Sequence, residues 1–453
     1  MGNTQSGEPF GPGYSIVEGH SSRNVLVEAR ELGKPFLICK GEIGRNAQKG
    51  ECQYKQFPGP HLYDLVRPVF LIRDPIRVFD SWKKVGWTDI KSLVDCYSSM
   101  FNMMHEASSS SISFVLYERL VREPRTEINR ICSHWGVPFS ETMLRFEQPF
   151  GHYFIFANSR ENSISCDERP PGLFTTVEAS SSIKNDVPCH GLLSNEEKGI
   201  LEESLGRAYL RCWRDDVIRL RDTIVEKTWF GFDLDDTLHE YRRSSKAAID
   251  AVLHSMSQDY GPPISDLAEE YARVLKDKTS SAFSDGRTSF EYRRERFTSV
   301  LDKFGLPTTQ IGKYLSLYEA TLKKSLQLKA GALDLLLLLK KMNKNLVVIT
   351  EGPQDAQERA IEDLGIKEHV DFLATTNHFR ATKSTGLFRK VLKYLNIPPG
   401  DMIYVGDSED RDMIPALAEG IFSIHLDEKN NVALDSCPPR INTLRKLGFI
   451  FTS

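Results

Sequence analysis

The fold of the C-terminal half of the chain is decided by one stretch, Trp229-Phe230-Gly231-Phe232-Asp233-Leu234-Asp235-Asp236-Thr237-Leu238. Its first four residues are apolar and predict a buried β-strand. The strand runs directly into Asp233 and Asp235, which are followed by Thr237. In an open α/β sheet, the residues beyond the carboxyl ends of the strands line the ligand-binding crevice. This D-x-D-x-T turn therefore predicts two carboxylates in one site.

Further along the chain, other polar residues occur where strands are predicted to end. The apolar run from Leu346 to Ile349 is followed by Thr350, and a later apolar run is followed by Asp407 and then Asp412. Lys383 stands at the start of a predicted helix. Each residue alone is typical of a turn or a solvated surface. Their joint occurrence at predicted strand ends favours a catalytic site.

Together these motifs resemble the haloacid dehalogenase superfamily of aspartate-nucleophile phosphotransferases. The resemblance implies a Rossmann-like α/β core in which Asp233 attacks phosphorus and forms an aspartyl-phosphate. It also implies that Asp235 protonates the leaving alcohol and then activates the hydrolytic water. The dehalogenases that name the superfamily lack this second aspartate, because a halide leaves without a proton. The resemblance therefore favours a phosphatase over a dehalogenase.

The same resemblance implies a cofactor and the residues that bind it. An Mg²⁺ ion would be held by Asp233, the backbone carbonyl of Asp235, Asp407 and Asp412. Thr350 and Lys383 would bind the phosphate oxygens. Glu351 stands where this family often has asparagine, and Ser384-Thr385-Gly386 stands where a proline-containing turn often occurs. Both departures are expected to affect the rim of the pocket, because neither removes a catalytic group.

Helical periodicity replaces the strand pattern after the D-x-D-x-T turn. Three apolar faces are predicted, formed by Ile249, Val252, Leu253 and Met256, by Leu267, Tyr271, Val274 and Leu275, and by Phe290, Phe297, Val300, Leu301 and Phe304. Thr288 and Glu291 form a predicted capping box for the third helix. An all-helical insertion at this position, from about residue 240 to 328, resembles the small cap of the dehalogenase-like family.

The N-terminal half carries a different set of motifs. Residues 1–22 are rich in Gly, Pro and Ser and predict a disordered lead, and residues 23–225 predict a second α/β domain. A predicted strand from Pro68 to Ile72 runs into Arg73, with Ser81 in the next helix. This pair resembles the element with which sulfotransferases hold the 3′-phosphate of phosphoadenosine phosphosulfate (PAPS). A forked guanidinium and a hydroxyl near a helix N-terminus suit such an anion.

One element of the sulfotransferase pattern does not occur in the sequence. Between Met1 and Pro35 there is no apolar strand followed by a loop that could wrap a 5′-phosphosulfate. A phosphate cradle needs consecutive backbone N–H groups, which one Arg/Ser pair cannot replace. We therefore expect a degenerate domain without transferase activity, joined near residue 226 to the dehalogenase-like domain of residues 226–453.

Composition excludes several other classes of protein. A chain of 453 residues predicts two domains, and a net charge of −4 gives no basic field for nucleic acid. The longest apolar run, Ala332 to Leu339, is too short to span a membrane. The eight cysteines show no metal-binding spacing and predict reduced thiols in a cytoplasmic protein. Met1 to Ser6 fits the acceptor pattern for myristoylation at Gly2, although no second anchoring signal accompanies it.

The sequence thus predicts two mainly parallel, doubly wound α/β domains, the second a capped Mg²⁺-dependent phosphatase acting on a small phosphorylated metabolite. Two alternatives stay open at this stage: a bifunctional or PAPS-dependent sulfotransferase, and a non-catalytic binding protein. The intact catalytic motifs argue against the second alternative. Nucleotides, sugar phosphates and isoprenoid phosphates all remain possible substrates, and the sequence does not indicate an oligomeric state.

Overall fold

The computed structural model describes residues 67–106, 113–145, 181–183, 188–278, 283 and 285–453. The predicted lead over residues 1–22 and the acceptor glycine Gly2 lie outside this part of the chain. Two compact units are present, one of residues 1–212 and 429–431, the other of residues 213–428 and 432–453. The division falls before residue 226, because the helix Arg214–Val225 packs on the C-terminal helix of the second unit.

The described part of the N-terminal unit contains two short parallel strands and several helices. In chain order the described elements are β1 (Val69–Ile72), α1 (Pro75–Lys84), α2 (Ile90–Glu106), β2 (Ser113–Leu116), α3 (Tyr117–Arg122), α4 (Pro124–Trp135), α5 (Asn195–Leu201) and α6 (Arg207–Arg211). β1 and β2 pair in parallel, with Val69 opposite Ser113. The start of α1 is fixed by Pro75 in its first turn and by Asp74, whose Oδ1 accepts a hydrogen bond from the backbone N of Ile76 at 2.8 Å.

The helical segment between Ser194 and Val225 is interrupted near Cys212. Ser194 begins it with a capping box to Glu197, and α5 continues through a π-helical turn, Glu202–Gly206, into α6. The helix then stops at Cys212, and α7 (Arg214–Val225) starts afresh.

A six-stranded parallel sheet forms the centre of the C-terminal unit. Its strands are β3 (Trp229–Phe232), β4 (Asn345–Thr350), β5 (Phe372–Thr375), β6 (Met402–Gly406), β7 (Phe422–Leu426) and β8 (Arg440–Ile441), in the order β5-β4-β3-β6-β7-β8. The strand that leads into the D-x-D-x-T turn therefore lies between β4 and β6, where the chain order reverses. Such a switch point is where open α/β sheets bind ligands.

Close packing of β3 on β6 explains the glycine within the motif strand. A Cβ atom at Gly231 would lie 2.9 Å from Cδ2 of Tyr404, nearer than real Cβ contacts allow. The Tyr404 side chain can therefore lie over β3 and reach beneath the strand ends, where its hydroxyl contacts the buried Asp412 at 3.0 Å. Gly231 thus allows both the close packing of the two strands and the contact between Tyr404 and Asp412.

Four of the α-helices that lie between β3 and β4 pack together in the part of the chain that is described: α8 (Tyr241–Tyr260), α9 (Ile264–Lys278), α10 (Ser289–Lys303) and α11 (Ile311–Ser325). Their apolar faces form one buried cluster that contains Val252, Leu267, Phe297 and Tyr314. The predicted capping box at the start of α10 is confirmed. The helical periodicity after the motif was therefore interpreted correctly, and we call this insertion the cap.

One apolar residue of the cap was assigned to the wrong surface. Phe290 was expected in the core with Phe297, but its side chain is 40% exposed. Its ring lies 5.0 Å from the guanidinium of Arg359, a residue outside the cap. Phe290 is only the second residue of α10, so the helix start is held by Ser289 contacts to Asp355 instead of by core packing.

The remaining helices cover the sheet. They are α12 (Ala332–Lys341), α13 (Gln354–Asp363), α14 (Thr376–Phe379), α15 (Leu387–Leu395), α16 (Ile414–Ala418) and α17 (Leu444–Phe451). Buried residues of β4, β6 and α15, among them Val347, Tyr404 and Phe388, pack in one core cluster. No helix of the described segments is long and apolar enough to cross a membrane. The cysteines in those segments form no disulfide bond, namely Cys96, Cys132, Cys189, Cys212 and Cys437.

Candidate active site

Three neighbouring strands deliver the polar residues of the site to the same edge of the sheet. Asp233 follows β3, Thr350 ends β4 and Asp407 follows β6. Lys383 lies in a 3₁₀ turn before α15, and Asp412 lies in a π-helical turn, Glu409–Met413, after β6. A cavity of about 310 Å³ opens at this edge under the cap. Its walls include Asp233, Asp235, Thr350, Lys383 and Asp412.

A buried lysine joins two of the carboxylates. The Nζ atom of Lys383 forms an ion pair with Asp233 and lies 2.5 Å from Oδ1 of Asp412. All three side chains are less than a tenth exposed. Burial lowers the pKa of Lys383, but the charges of Asp233 and Asp412 outweigh this effect and raise its pKa. Burial raises the pKa of Asp233, and the Lys383 ammonium opposes that shift.

Three carboxylates of the site could hold a metal ion together. Asp233, Asp407 and Asp412 each offer one oxygen, and these oxygens lie within 4.8 Å of one another. Hard carboxylate oxygens are the ligands that Mg²⁺ prefers. Burial and the charge of Asp412 raise the pKa of Asp407, so a divalent cation would relieve a concentration of negative charge here. The donor set therefore fits the predicted ion, while the carboxylate of Asp235 does not belong to this group.

The side chain of Asp235 is held by two residues that the sequence did not reveal. Nε2 of His239 lies 3.0 Å from its Oδ1, and Nε2 of Gln357 donates a hydrogen bond to its Oδ2 at 3.4 Å. His239 is fully buried, whereas the Asp235 side chain is 23% exposed toward the cavity it lines. A carboxyl held from behind and open in front can exchange a proton with a bound molecule.

Thr350 and the residue that follows it have separate roles. The Oγ1 atom of Thr350 is buried and has no hydrogen-bond partner among the described residues. A buried hydroxyl without a partner is costly, so this one is ready to donate to a ligand in the cavity it lines. Glu351, the departure from the family pattern, accepts a hydrogen bond from the backbone N of Lys383 at 2.8 Å. It thereby anchors the turn that carries the lysine.

Two arginines at the site were also missed. Arg242, in the first turn of the cap helix α8, contacts Asp236 at 3.0 Å and Asp407 at 3.1 Å. Arg411 lines the cavity; burial lowers its pKa, but nearby carboxylates, Asp233 first among them, raise the pKa overall. Neither residue has a sequence signal, because the fold alone brings each one to the strand ends.

The two residues predicted for nucleotide binding lie in the N-terminal unit. Arg73 directly follows β1, and its guanidinium lies 4.3 Å from the ring centre of Tyr117. Its backbone carbonyl accepts a hydrogen bond from the Tyr97 hydroxyl at 2.7 Å. Ser81 lies on the exposed side of α1. The role of this pair in binding a 3′-phosphate stays a prediction.

A buried acid lies beside Arg73. The Oε1 atom of Glu118 accepts a hydrogen bond from the backbone N of Asp74 at 2.8 Å. Burial raises the pKa of Glu118 from 4.5 to about 7, and the nearby Asp74 charge adds to the shift.

Comparison with known proteins identifies the class of the C-terminal half. Residues 231–426 match the family model described as haloacid dehalogenase-like hydrolase. This part of the chain is therefore a haloacid dehalogenase-like hydrolase domain with a Rossmann-like α/β core. A glyceraldehyde 3-phosphate phosphatase of Methanocaldococcus jannaschii is 28% identical over 206 residues, which cover 43% of this chain and 82% of that protein.

Solved structures of the same class are also similar. The hydrolase YfnB of Bacillus subtilis, bound to magnesium, shares 19% identity and covers 50% of this chain and 100% of its own, with a TM-score of 0.41. A phosphatase of this class from Thermococcus onnurineus shares 20% identity and covers 49% of this chain and 95% of its own, with a TM-score of 0.38.

Proposed function

We propose that the C-terminal domain is an Mg²⁺-dependent phosphatase that hydrolyses a small phosphate ester through an aspartyl-phosphate. The observation that carries this proposal is the meeting of Asp233, Asp407, Asp412 and Lys383 at one edge of the sheet, beside the unpartnered hydroxyl of Thr350. The relative in M. jannaschii, named as a phosphatase, supports the same chemistry.

The first half of the reaction transfers the phosphoryl group to the enzyme. An oxygen of Asp233 attacks phosphorus while the bond to the substrate alcohol breaks. The carboxylic acid form of Asp235 gives its proton to the departing oxygen, so the product leaves as a neutral alcohol. Thr350 and Lys383 hold phosphate oxygens by hydrogen bonds that persist as charge shifts during transfer.

The second half regenerates the nucleophile. The carboxylate of Asp235 removes a proton from water, and the water oxygen attacks phosphorus as the bond to Asp233 breaks. His239 and Gln357 keep the Asp235 side chain in one place during both steps, because each contacts one of its two oxygens. Inorganic phosphate is released and both aspartates return to their first state.

A divalent ion would be held by Asp233, Asp407 and Asp412, the three residues whose oxygens meet. When bound, it would offset the repulsion between a carboxylate nucleophile and a phosphate dianion. His425 supports this group from behind, because its Nε2 lies 3.1 Å from the backbone carbonyl oxygen of Asp407. Residues that contact a metal-binding residue in this way orient it toward the ion.

Phosphate release from a panel of phosphorylated metabolites, measured on the full chain with and without Mg²⁺, tests the proposal. Asp233→Asn should abolish turnover, since an amide is a poor nucleophile and a weaker metal ligand. Asp410→Asn is the matched control, because Asp410 is exposed on the turn next to Asp412. Unchanged turnover in Asp233→Asn, or equal loss in both variants, would rule out the assignment.

We further propose that residues 23–225 form a sulfotransferase-like domain without transferase activity. The parallel pairing of β1 with β2 and the position of Arg73 at the end of β1 support a nucleotide-binding ancestry. Calorimetry on the full chain should detect weak binding or none for adenosine 3′,5′-bisphosphate, because the sequence has no phosphosulfate loop. Micromolar binding that is lost in Arg73→Ala, but kept in the exposed control Arg125→Ala, would overturn this and revive the sulfotransferase alternative.

A further inference from the structure

The cap side of the active-site cavity has a different chemistry from its floor. All four cap helices, α8 to α11, contribute side chains to it. Beside apolar residues such as Ile249 and Leu275, α9, α10 and α11 present a group of phenols and charged side chains, namely Tyr271, Tyr292, Arg293, Arg296, Tyr318 and Glu319. We call this surface the roof. The machinery for the phosphate ester lies on the opposite wall, at the strand ends, so the roof is available to the rest of a substrate.

Most charges of the roof are balanced by neighbours. Arg293, whose side chain is only 8% exposed, forms an ion pair with Glu319. Its guanidinium also lies 4.4 Å from the ring centre of Tyr318. Beside it, Arg359 pairs with Asp355 at 3.0 Å. In each of these two pairs the positive charge of the arginine is balanced by the negative charge of its carboxylate partner.

The same holds at the outer rim of the cavity, where Lys323 pairs with Asp363 at 2.6 Å. Arg242, at the start of the cap helix α8, contacts two carboxylates at the strand ends, Asp236 and Asp407. Positive groups around this cavity are thus generally matched by carboxylates in contact with them.

Arg296 is the exception among the described residues that line the cavity and carry a positive charge in the cap. No carboxylate forms an ion pair with it in the described part of the chain, and its Nε and Nη2 atoms are buried without hydrogen-bond partners there. Two of its neighbours are uncharged: the guanidinium lies 5.9 Å from the ring centre of Phe283 and donates a hydrogen bond to the Tyr271 phenol. Burial raises the pKa of Tyr271 to about 12, and the Arg296 charge and this hydrogen bond oppose that rise. A phenol that stays protonated at neutral pH cannot balance a guanidinium.

An unbalanced arginine is a strong indication of an anionic ligand. A guanidinium keeps its charge at every relevant pH, so burial cannot neutralise it as it can a lysine. Leaving part of a charged group away from water without a partner costs free energy that a bound anion would recover. Because the arginine fork fits carboxylate and phosphate oxygens, these are the groups that it would bind best.

We propose that the substrate is a small phosphate ester with a second anionic group, a carboxylate or another phosphate, and that Arg296 binds this group. The inference rests on the proposed function, which places the ester phosphate at Asp233. A cavity of about 310 Å³ is at the lower end of the range for ligand sites, so the carbon skeleton is short. Phenol groups from Tyr271, Tyr292 and Tyr318 would face its hydroxyls and methylenes.

Matched pairs of substrates test the proposal on the full chain with Mg²⁺. One pair is 3-phosphoglycerate and glycerol 3-phosphate, which differ by a carboxylate; the other is fructose 1,6-bisphosphate and fructose 6-phosphate, which differ by a phosphate. For at least one pair, kcat/KM should be about 30-fold or more higher for the more highly charged member, as for other charge pairs removed from water. Which pair shows the preference identifies the anion.

The variant Arg296→Gln should remove most of that preference while changing kcat/KM for the less charged member by less than about threefold. Arg294→Gln is the matched control, because Arg294 belongs to the same helix and is exposed. It should keep the preference. Equal losses on both members of each pair, or no preference in the unmodified chain, would overturn the inference and leave the phosphatase assignment standing.

Failure of the proposed function gives a different result, namely no phosphate release from any probe. The same pairs would then be compared by calorimetry with Asp233→Asn, which keeps the roof intact. Tighter binding of the more charged members that is lost when Arg296→Gln is added would still support an anion site in the cap. Equal binding of both members would overturn it.

Discussion

Replacing Lys383 by methionine would test the electrostatic account of the active site. The substitution keeps the length of the side chain and removes its charge, so it leaves two buried carboxylates, Asp233 and Asp412, without the cation between them. Removing one partner of a buried ion pair typically costs 3–5 kcal/mol, because the other charge stays away from water. We therefore expect the C-terminal domain to lose about 3–5 kcal/mol of its free energy of unfolding at pH 8 in the absence of metal.

An exposed lysine provides the control for this experiment. Lys246 pairs with Asp250 at 2.7 Å, but its side chain is 75% exposed. Surface pairs of this kind contribute at most about 1 kcal/mol, so Lys246→Met should have little effect. For a domain of this size, 1 kcal/mol corresponds to about 2–4 °C in the melting temperature. The expected difference between the two variants is therefore about 5–20 °C.

Scanning calorimetry with EDTA and then with Mg²⁺ would measure both variants. A divalent cation among Asp233, Asp407 and Asp412 replaces the missing positive charge, so Mg²⁺ should recover more stability in Lys383→Met than in the unmodified chain. Similar small losses in Lys383→Met and Lys246→Met would show that the buried carboxylates are not held by this lysine. The charge argument for the metal site would then fail as well.

Three other changes give independent checks. In Asp235→Asn, single-turnover phosphorylation should slow about 10²–10⁴-fold for alkyl phosphates but much less for nitrophenyl phosphate, whose phenolate leaves unaided; equal losses would exclude general acid catalysis. Because the pKa of Glu118 is raised to about 7, its favourable contribution is complete below pH 4.5 and is lost as pH rises through 7. The stability of the unmodified chain relative to Glu118→Gln should therefore fall by about 3 kcal/mol between pH 4 and 8, and a constant difference in chemical denaturation would contradict this. Gly406→Ala should weaken Mg²⁺ binding in calorimetry, because its Cβ would lie 2.5 Å from Cγ of Asp412, whereas Gly312→Ala, with open space at that point, should not; equal affinities would refute the reasoning.

The positions of the main site residues could be predicted because they depend on a rule of sheet geometry. Parallel strands deliver their carboxyl ends to one edge, so Asp233, Thr350 and Asp407 had to come close once their strands were identified. Lys383 and Asp412 were assigned from the order of motifs, and the structure places both against Asp233 or its neighbours. Periodicity likewise predicted three of the four cap helices, and α11 (Ile311–Ser325) was not predicted.

Other features have no local signal in the sequence. Gln357 and Arg242 reach the site from the first turns of two helices, and only the packing of those helices directs them to Asp235 and Asp407. The strand β8 is two residues long, too short for a periodic pattern to reveal it. Phe290 followed the apolar period, yet it lies at a helix start where polar contacts determine the packing.

The distribution of charge across the cavity connects the metal with the choice of substrate. Carboxylates outnumber the cations at the strand ends, so without a metal ion this floor repels a phosphate, while Arg296 leaves the roof positive. A molecule with two anionic ends would therefore meet the roof first in the metal-free domain. A divalent cation held by Asp233, Asp407 and Asp412 would make the floor attractive and would let both ends bind at once. We thus expect Mg²⁺ to tighten the binding of doubly anionic esters to the unmodified chain, and equally to the control variant Asp410→Asn. Added salt should weaken this binding in both proteins.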